Sequence, residues 1–323
     1  MTRHRFLARA AFAALAFAAA SAGAQGFPAK PITFVVPFAA GTATDQIARA
    51  LGNAVTAETK QSVVIDNKPG ASGFIASQQA AKAAPDGYTV LITTNTTHAA
   101  NEHLYKKLPY DPVKDFAPLT GLGKGGQVMV VTPDFPAKTV AEFIALAKKE
   151  PGKYSFGSGS SSSRMAGELL QQMADIKLLH VPYKSNTLAV TDLLGGQIHM
   201  MITDTATGLP QVKAGKLRAL GMSGASRSPL APEVPTIAEA GVKGYEMGYW
   251  FAAYAPAGTP PEVVGRLNEL LSRAARSESA RTAFYAPTGT EVFTTTPDEL
   301  AKFQAGEAQK WGRIVKAAGI QPE

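Results

Sequence analysis

Ile32-Thr33-Phe34-Val35-Val36-Pro37-Phe38-Ala39-Ala40-Gly41-Thr42-Ala43-Thr44-Asp45 is the stretch whose reading decides the fold. The apolar run 32–36 reads as a buried strand that stops at Pro37. A turn of small residues follows, and then Ile47, Ala48, Leu51 and Val55 recur at helical spacing. Strand, tight turn and helix in that order place a helix N-terminus at the end of a strand. Such an end carries unpaired N–H groups and a partial positive charge, so it favours an anion. Ala40, Gly41 and Thr42 are small enough for a ligand to approach the backbone, with Phe38 beside them. An ordinary strand–helix turn capped by Asp45 or Thr44 would have the same letters. The rest of the chain separates the two readings.

Strand and helix patterns alternate onward from this unit. Apolar strands are expected at 62–65, 89–93, 128–131, 154–157, 178–181, 198–202 and 219–222. Helical patterns lie between them at 45–57, 72–83, 140–149, 164–175, 187–194 and 209–214, and the C-terminal part is mostly helical. Alternation of this kind predicts α/β sheets covered by helices on both faces. Two extended stretches, one around Gly121–Gly126 and one at 249–255, read as crossings between two interleaved lobes. The expectation is a two-lobed α/β clamshell with a hinge. Its first lobe is 25–123 with 250–323, and its second is 124–249. The cleft then lies at the carboxyl ends of the strands, where open α/β sheets bind ligands.

The chain begins with an export signal. Arg3, Arg5 and Arg9 form a basic start, 10–22 is apolar but too short to span a bilayer, and Ala22-Gly23-Ala24 fits a cleavage site. Cleavage is expected between Ala24 and Gln25, releasing a free protein into the periplasm. There is no cysteine anywhere, which excludes disulfides, thiolate metal sites and a lipid anchor on cysteine. Loss of the three signal arginines lowers the net charge from +7 to +4. The remaining basic residues are scattered, so no nucleic-acid partner is expected. Hydrophobic residues at 45% support a real core, and a monomer is expected.

Gly121-x-Gly123-x-x-Gly126 has the letters of a dinucleotide fingerprint but leads into a strand rather than a helix, so no cofactor is expected. The histidines form no metal-binding pair at i, i+4. The richest polar stretch is Gly157-Ser158-Gly159-Ser160-Ser161-Ser162-Ser163-Arg164, which follows a strand and opens the helix holding Met165, Leu169 and Met173. It repeats the chemistry of the first turn in the other lobe, with Arg164 able to offer a fork to a carboxylate. Thr94, Asn95, Thr96 and His98 follow another strand and form a candidate third wall. Tyr183, Asp204 and Trp250, the last with Phe251 beside it at the predicted crossing, are further candidates, each with an equally simple structural reading, as core, cap or hinge.

At this point a family resemblance becomes legible. The chain resembles the solute-binding receptors of tripartite tricarboxylate transporters, the Bug family. The residues that carry it include Val36-Pro37-Phe38-Ala39-Ala40-Gly41, Pro85-Asp86-Gly87-Tyr88-Thr89, His180-Val181-Pro182-Tyr183-Lys184, Asp192-Leu193-Leu194-Gly195-Gly196 and Pro235-Thr236-Ile237-Ala238-Glu239-Ala240-Gly241. Their order and spacing cover nearly all of the mature chain. The resemblance implies a two-lobed periplasmic-binding-protein clamshell, type II-like: a receptor, not an enzyme, that closes on a small organic carboxylate and delivers it to membrane subunits. Three departures fall at the expected ligand wall: Thr42 and Ser185 stand where glycines are usual, and the 158–163 turn is serine-rich with Arg164 near a usual histidine.

Two anion-ready helix starts in opposite lobes suggest a ligand with two anionic ends. One carboxylate is expected at Gly41 and Thr42, the other at Ser158, Ser160, Ser162 and Arg164. An aromatic middle, as in a terephthalate-like acid, would suit Phe38 and Trp250. The competing class is a periplasmic hydrolase using a serine of the 158–163 turn, which would need a base and an oxyanion site beside it.

Overall fold

β1 (Ile32–Val36) lies between two parallel neighbours, with Phe34 opposite Ile65 of β2 (Val63–Asn67) and Val90 of β3 (Thr89–Thr94). Phe34, Val35 and Val36 are fully buried, which is why the strand reads as a continuous apolar run rather than an alternating one. The computed structural model describes residues 27–322, so the export signal and its cleavage site lie outside the described residues. Helices α1 (Ala43–Thr59) and α2 (Phe74–Ala81) follow β1 and β2. A π-helical turn, Thr96–Ala100, follows β3 and continues into the short helix α3 (Asn101–Leu104).

The architecture is the two-lobed α/β clamshell. Its strands run β2-β1-β3, then β9 (Gly248–Pro256), β4 (Phe116–Val131), β7 (Met200–Asp204), β5 (Ser155–Ser158) and β6 (Leu179–Pro182). β4 belongs to both halves: its Phe116–Gly126 part pairs with β9, and Gln127–Val131 pairs with β7 and β8 (Arg218–Met222). β5 sits between β6 and β7, parallel to both. Helices α4 (Val140–Lys149), α5 (Ser161–Ala174), α6 (Asn186–Leu194) and α7 (Thr205–Lys213) belong to this second half. The chain returns to the first half along β9 and finishes with α8 (Pro261–Arg276) and α9 (Pro297–Ala317). One apolar cluster continues from Val35 and Leu91 through Tyr254 and Trp250 to Met129 and Phe156, so the halves share core as well as backbone.

The sequence pattern recovers β1 and α4 to the residue, and most other elements to within a few. It misses the length of β4, expecting a strand only at 128–131 with an extended crossing around Gly121–Gly126 before it. Gly121, Gly123 and Gly125 are strand residues of one face on which large groups lie directly. A Cβ at Gly121 would stand 2.6 Å from the Phe293 carbonyl oxygen, one at Gly123 2.8 Å from Thr290, and one at Gly125 2.7 Å from the Tyr249 hydroxyl.

Candidate functional site

Four helices begin at one small cavity between the halves. The N-caps of α1, α5, α6 and α7 are Thr42, Ser160, Ser185 and Asp204, and all four line a space of about 40 Å³. Each cap accepts from the third amide of its helix: Asp45 N at 3.4 Å, Ser163 N at 3.2 Å, Leu188 N at 3.4 Å and Thr207 N at 2.9 Å. The amides between cap and third residue have no partner within a helix. Ala43, Thr44, Ser162 and Asn186 supply such positions and also line the cavity. Four partial positive ends therefore converge from both halves on a space walled on its apolar side by Phe38, Tyr249 and Phe251.

The second half of this wall is locked by a short polar chain. Gly159 N donates to Asn186 Oδ1 at 3.0 Å, and Asn186 Nδ2 donates to Asp204 Oδ2 at 3.0 Å. Asp204 Oδ1 accepts from both the amide and the hydroxyl of Thr207, and Oδ2 also accepts from the Thr203 hydroxyl at 3.4 Å. Gly159 has room for nothing larger than hydrogen, since a Cβ would lie 1.8 Å from the Ser185 carbonyl carbon and 2.1 Å from Asn186 N. On the opposite side Asn95 Nδ2 donates to the Gly248 carbonyl at 3.2 Å, tying the cavity to the start of β9. Tyr249 carries its hydroxyl between Thr205, at 3.0 Å, and Thr290, at 2.9 Å. Burial pushes that phenol up to about 12, so it stays protonated at physiological pH.

A larger groove of about 390 Å³ adjoins the cavity, sharing Phe38, Gly159 and Ser160 with it. Ser158, Ser161, Arg164, His180, Tyr183 and Lys184 line this groove. Arg164 lies beside Glu168, with Nε 3.9 Å from Oε1, and burial pushes the Glu168 carboxyl up. Ser158 Oγ is 2.7 Å from His180 Nε2, the Tyr183 hydroxyl donates to Asp192 at 2.9 Å, and Ser161 reaches across to Asn101 at 3.1 Å.

Of the residues singled out in the sequence, Phe38, Thr42, Thr94, Asn95, Ser160, Ser162 and Asp204 meet at the inner cavity. Ser158, Ser161, Arg164 and Tyr183 lie in the outer groove instead. Seven others line neither space. Ala40 and Gly41 are exposed, and the Gly41 amide expected to hold a carboxylate is bound at 2.9 Å by Asp45. Asp45 is a buried structural acid: burial raises its pKa, but hydrogen bonds from Arg49, Gly41 and Asn67 outweigh that and hold it low. Thr96 is buried in the π-helical turn, and Ser163 bonds the Ile202 carbonyl. His98 is a core residue stacked on Tyr254 at 3.9 Å, with Nδ1 2.8 Å from the Thr97 hydroxyl. Trp250 donates to Glu307 at 3.2 Å and lines a different cavity. The reason is strand alternation, since Tyr249 and Phe251 on either side face the inner cavity.

Ala43, Thr44, Gly159, Asn186 and Tyr249 are cavity residues not chosen from sequence; Ser185, noted only as a departure at the expected wall, and Phe251, weighed beside Trp250 as lining or hinge core, also line it. Ser185 and Asn186 carry a readable signal, because a serine just before the helical run at 187–194 is an N-cap pattern. Among the described residues no cluster of three or more His, Cys, Asp or Glu could hold a metal ion. No described helix is long and apolar enough to cross a membrane.

A family model for the tripartite tricarboxylate transporter family receptor matches residues 47–320. The chain belongs to that receptor family. The receptor is 36% identical over 316 residues to a UPF0065 protein in the tcbD-tcbE intergenic region of Pseudomonas sp. (strain P51), covering 97% of this chain and 94% of the relative. It is 35% identical over 313 residues to Protein BugT of Bordetella pertussis, covering 96% of each. Among solved structures it resembles R. palustris Rpa4515 with adipate, with a TM-score of 0.88 and 35% identity over 92% of this chain and all of that one. MatC of Rhodopseudomonas palustris with bound malate gives a TM-score of 0.84 at 31% identity, over 90% of this chain and all of that one. The family is one of solute-binding receptors, and the receptor shares their clamshell fold.

Proposed function

We propose that this receptor is a periplasmic binding protein for a small organic dicarboxylate, which it delivers to the membrane subunits of a tripartite tricarboxylate transporter. The observation that carries the reading is the meeting of four helix N-caps from both halves at one cavity. A carboxylate there takes charge-assisted hydrogen bonds, each contributing about 1.5–3 kcal/mol against about 1 for a neutral acceptor. With the lobes taken as 25–123 with 250–323 and 124–249, the donors come from opposite sides. The ligand then stabilises the closed form.

The inner cavity of about 40 Å³ holds roughly three water-sized positions at 10–15 Å³ each. It suits one carboxylate and a carbon or two, and has no room for a ring. The chain of the ligand passes between Phe38 and Ser160, which border both spaces, and its second carboxylate lies in the groove with Arg164 and Lys184. The two-ended ligand is kept, but its first anchor moves from Gly41 to the amides of Ala43 and Thr44, and an aliphatic middle replaces the aromatic one. The adipate and malate complexes of the relatives are in keeping with this class.

A hydrolytic reading has one observation in its favour, the close Ser158–His180 pair. The receptor family favours binding without turnover, and incubation with small esters is expected to leave them intact. A thermal-shift panel of aliphatic and aromatic mono- and dicarboxylates tests the proposal. A micromolar ligand at millimolar concentration stabilises the protein by about 4 kcal/mol, a shift of several degrees. No shift with any dicarboxylate would refute the reading.

A further inference from the structure

Ser161 Oγ donates to Asn101 Oδ1 at 3.1 Å, and both residues are buried. The two belong to different halves: Asn101 opens α3, after β3, while Ser161 opens α5, after β5. The direction of the bond is fixed by the other partners of the amide. Asn101 Nδ2 donates to the Ser72 carbonyl at 3.0 Å and to the Tyr110 hydroxyl at 3.2 Å, which uses both its protons. Tyr110 sends its own proton to the Thr97 carbonyl at 2.8 Å. Turning the amide would set its oxygen against a carbonyl and against a hydroxyl whose proton is spent. The oxygen therefore faces the second half, and the Ser161 hydroxyl supplies the proton. Each end of the bond is joined to a wall of the inner cavity. Asn101 N closes the π-helical turn by bonding back to the Thr96 carbonyl, and that turn starts from Thr94 and Asn95 at the cavity. Ser161 follows Ser160, the N-cap at the same cavity. Asn101 itself lines neither the cavity nor the outer groove.

We infer that the Ser161–Asn101 bond is a latch between the halves: it forms on closure, uses no ligand atom, and raises the affinity for every acid the cleft accepts by the same factor. This rests on the reading above, in which the halves close on the ligand. Opening by rotation about β4 and β9 separates the two side chains, and water then has to satisfy both. A buried bond between neutral groups contributes about 1 kcal/mol net, which is about fivefold in the ratio of closed to open at 1.4 kcal/mol per tenfold. A ligand held only by the closed form loses as much affinity when the bond is removed. Gln172 Nε2, which donates to the Ala317 carbonyl at 2.7 Å, and Lys310, 3.9 Å from Glu246, also join the halves. Those contacts lie at the surface, where water replaces them at little cost.

Calorimetry on Ser161→Ala, Asn101→Ala and the double variant, with carboxylic acids of several lengths, tests this. Ser161→Ala is expected to weaken every acid that binds by about fivefold. The same change made in the Asn101→Ala background is expected to weaken none, because the partner is already gone. A loss that varies from acid to acid means that Ser161 touches the ligand in the outer groove, and it overturns the latch. So does an unchanged affinity in Ser161→Ala, or an equal loss in the Asn101→Ala background. If Asn101→Ala does not fold, the evenness of the Ser161→Ala loss across acids decides. Binding of no acid overturns the carboxylate reading instead, and the latch is then tested without ligand by solution scattering. Ser161→Ala is expected to be more extended than the wild type, and matching curves overturn the latch.

Discussion

Gly159→Ala is the sharpest perturbation of the site, because what it meets cannot move aside. The added Cβ would lie 1.8 Å from Ser185 C, 2.1 Å from Asn186 N and 2.2 Å from Ser185 O, all backbone atoms. Relief requires the turn after β5 to separate from the start of α6. That separation also breaks the bond from Gly159 N to Asn186 Oδ1, whose length is 3.0 Å. Overpacking in a well-filled region costs about 1–3 kcal/mol, and the loss of a buried hydrogen bond adds about 1. A destabilisation of about 3 kcal/mol is therefore expected in urea unfolding, read from the midpoint at constant slope. Ligand affinity should fall by tenfold or more, since two of the four helix starts lose their relative position. Gly265→Ala is the matched control. Gly265 is an exposed glycine of α8 with nothing within 4 Å of a built Cβ, so the same chemical change should stabilise by about 1 kcal/mol. Wild-type stability and affinity in Gly159→Ala would refute the view that close backbone contact organises the site.

Three other outcomes are expected. Burial lowers the His98 pKa from its usual value near 6.5 to about 3, so the unfolded chain takes up a proton that the native state refuses. Stability is then lost as pH falls below about 6.5, by about 2 kcal/mol between pH 7.5 and pH 5, and His98→Gln should remove that slope in paired denaturation curves. Asp45→Asn should destabilise by about 1.5–3 kcal/mol by disturbing the bonds to Gly41, Arg49 and Asn67, while leaving ligand preference between acids unchanged in calorimetry. Mass spectrometry of the exported protein should find an N-terminus at Gln25, and an intact Met1 would contradict the export reading.

Much of the fold was legible because it depends on local pattern. The buried run 32–36 and the helical spacing after it are properties of neighbouring residues, and so are the serines that begin α5 and α6. What was not legible depends on contacts far along the chain. Gly121, Gly123 and Gly125 belong to a strand only because Phe293, Thr290 and Tyr249 pack over them. The face of β9 that lines the inner cavity is a matter of parity: Trp250 was chosen, while Tyr249 and Phe251 line the space. Arg164 was placed with the serines it follows, but it stands within the first turn of α5, where the helix carries its side chain into the outer groove. His98 looked functional because a histidine in a polar run usually is noticed for its chemistry. Its neighbours Phe116 and Tyr254 make it part of the core.

The central claim is that a carboxylate sits where four helices begin. A crystal structure of the receptor with the tightest acid from the panel tests it most directly. The account predicts carboxylate oxygens within hydrogen-bond distance of the Ala43 and Thr44 amides and of the α5 or α6 start, with the rest of the acid running past Phe38 toward Arg164. A carboxylate held only in the outer groove, or in the cavity beside Trp250, with the inner space left to water, would contradict it.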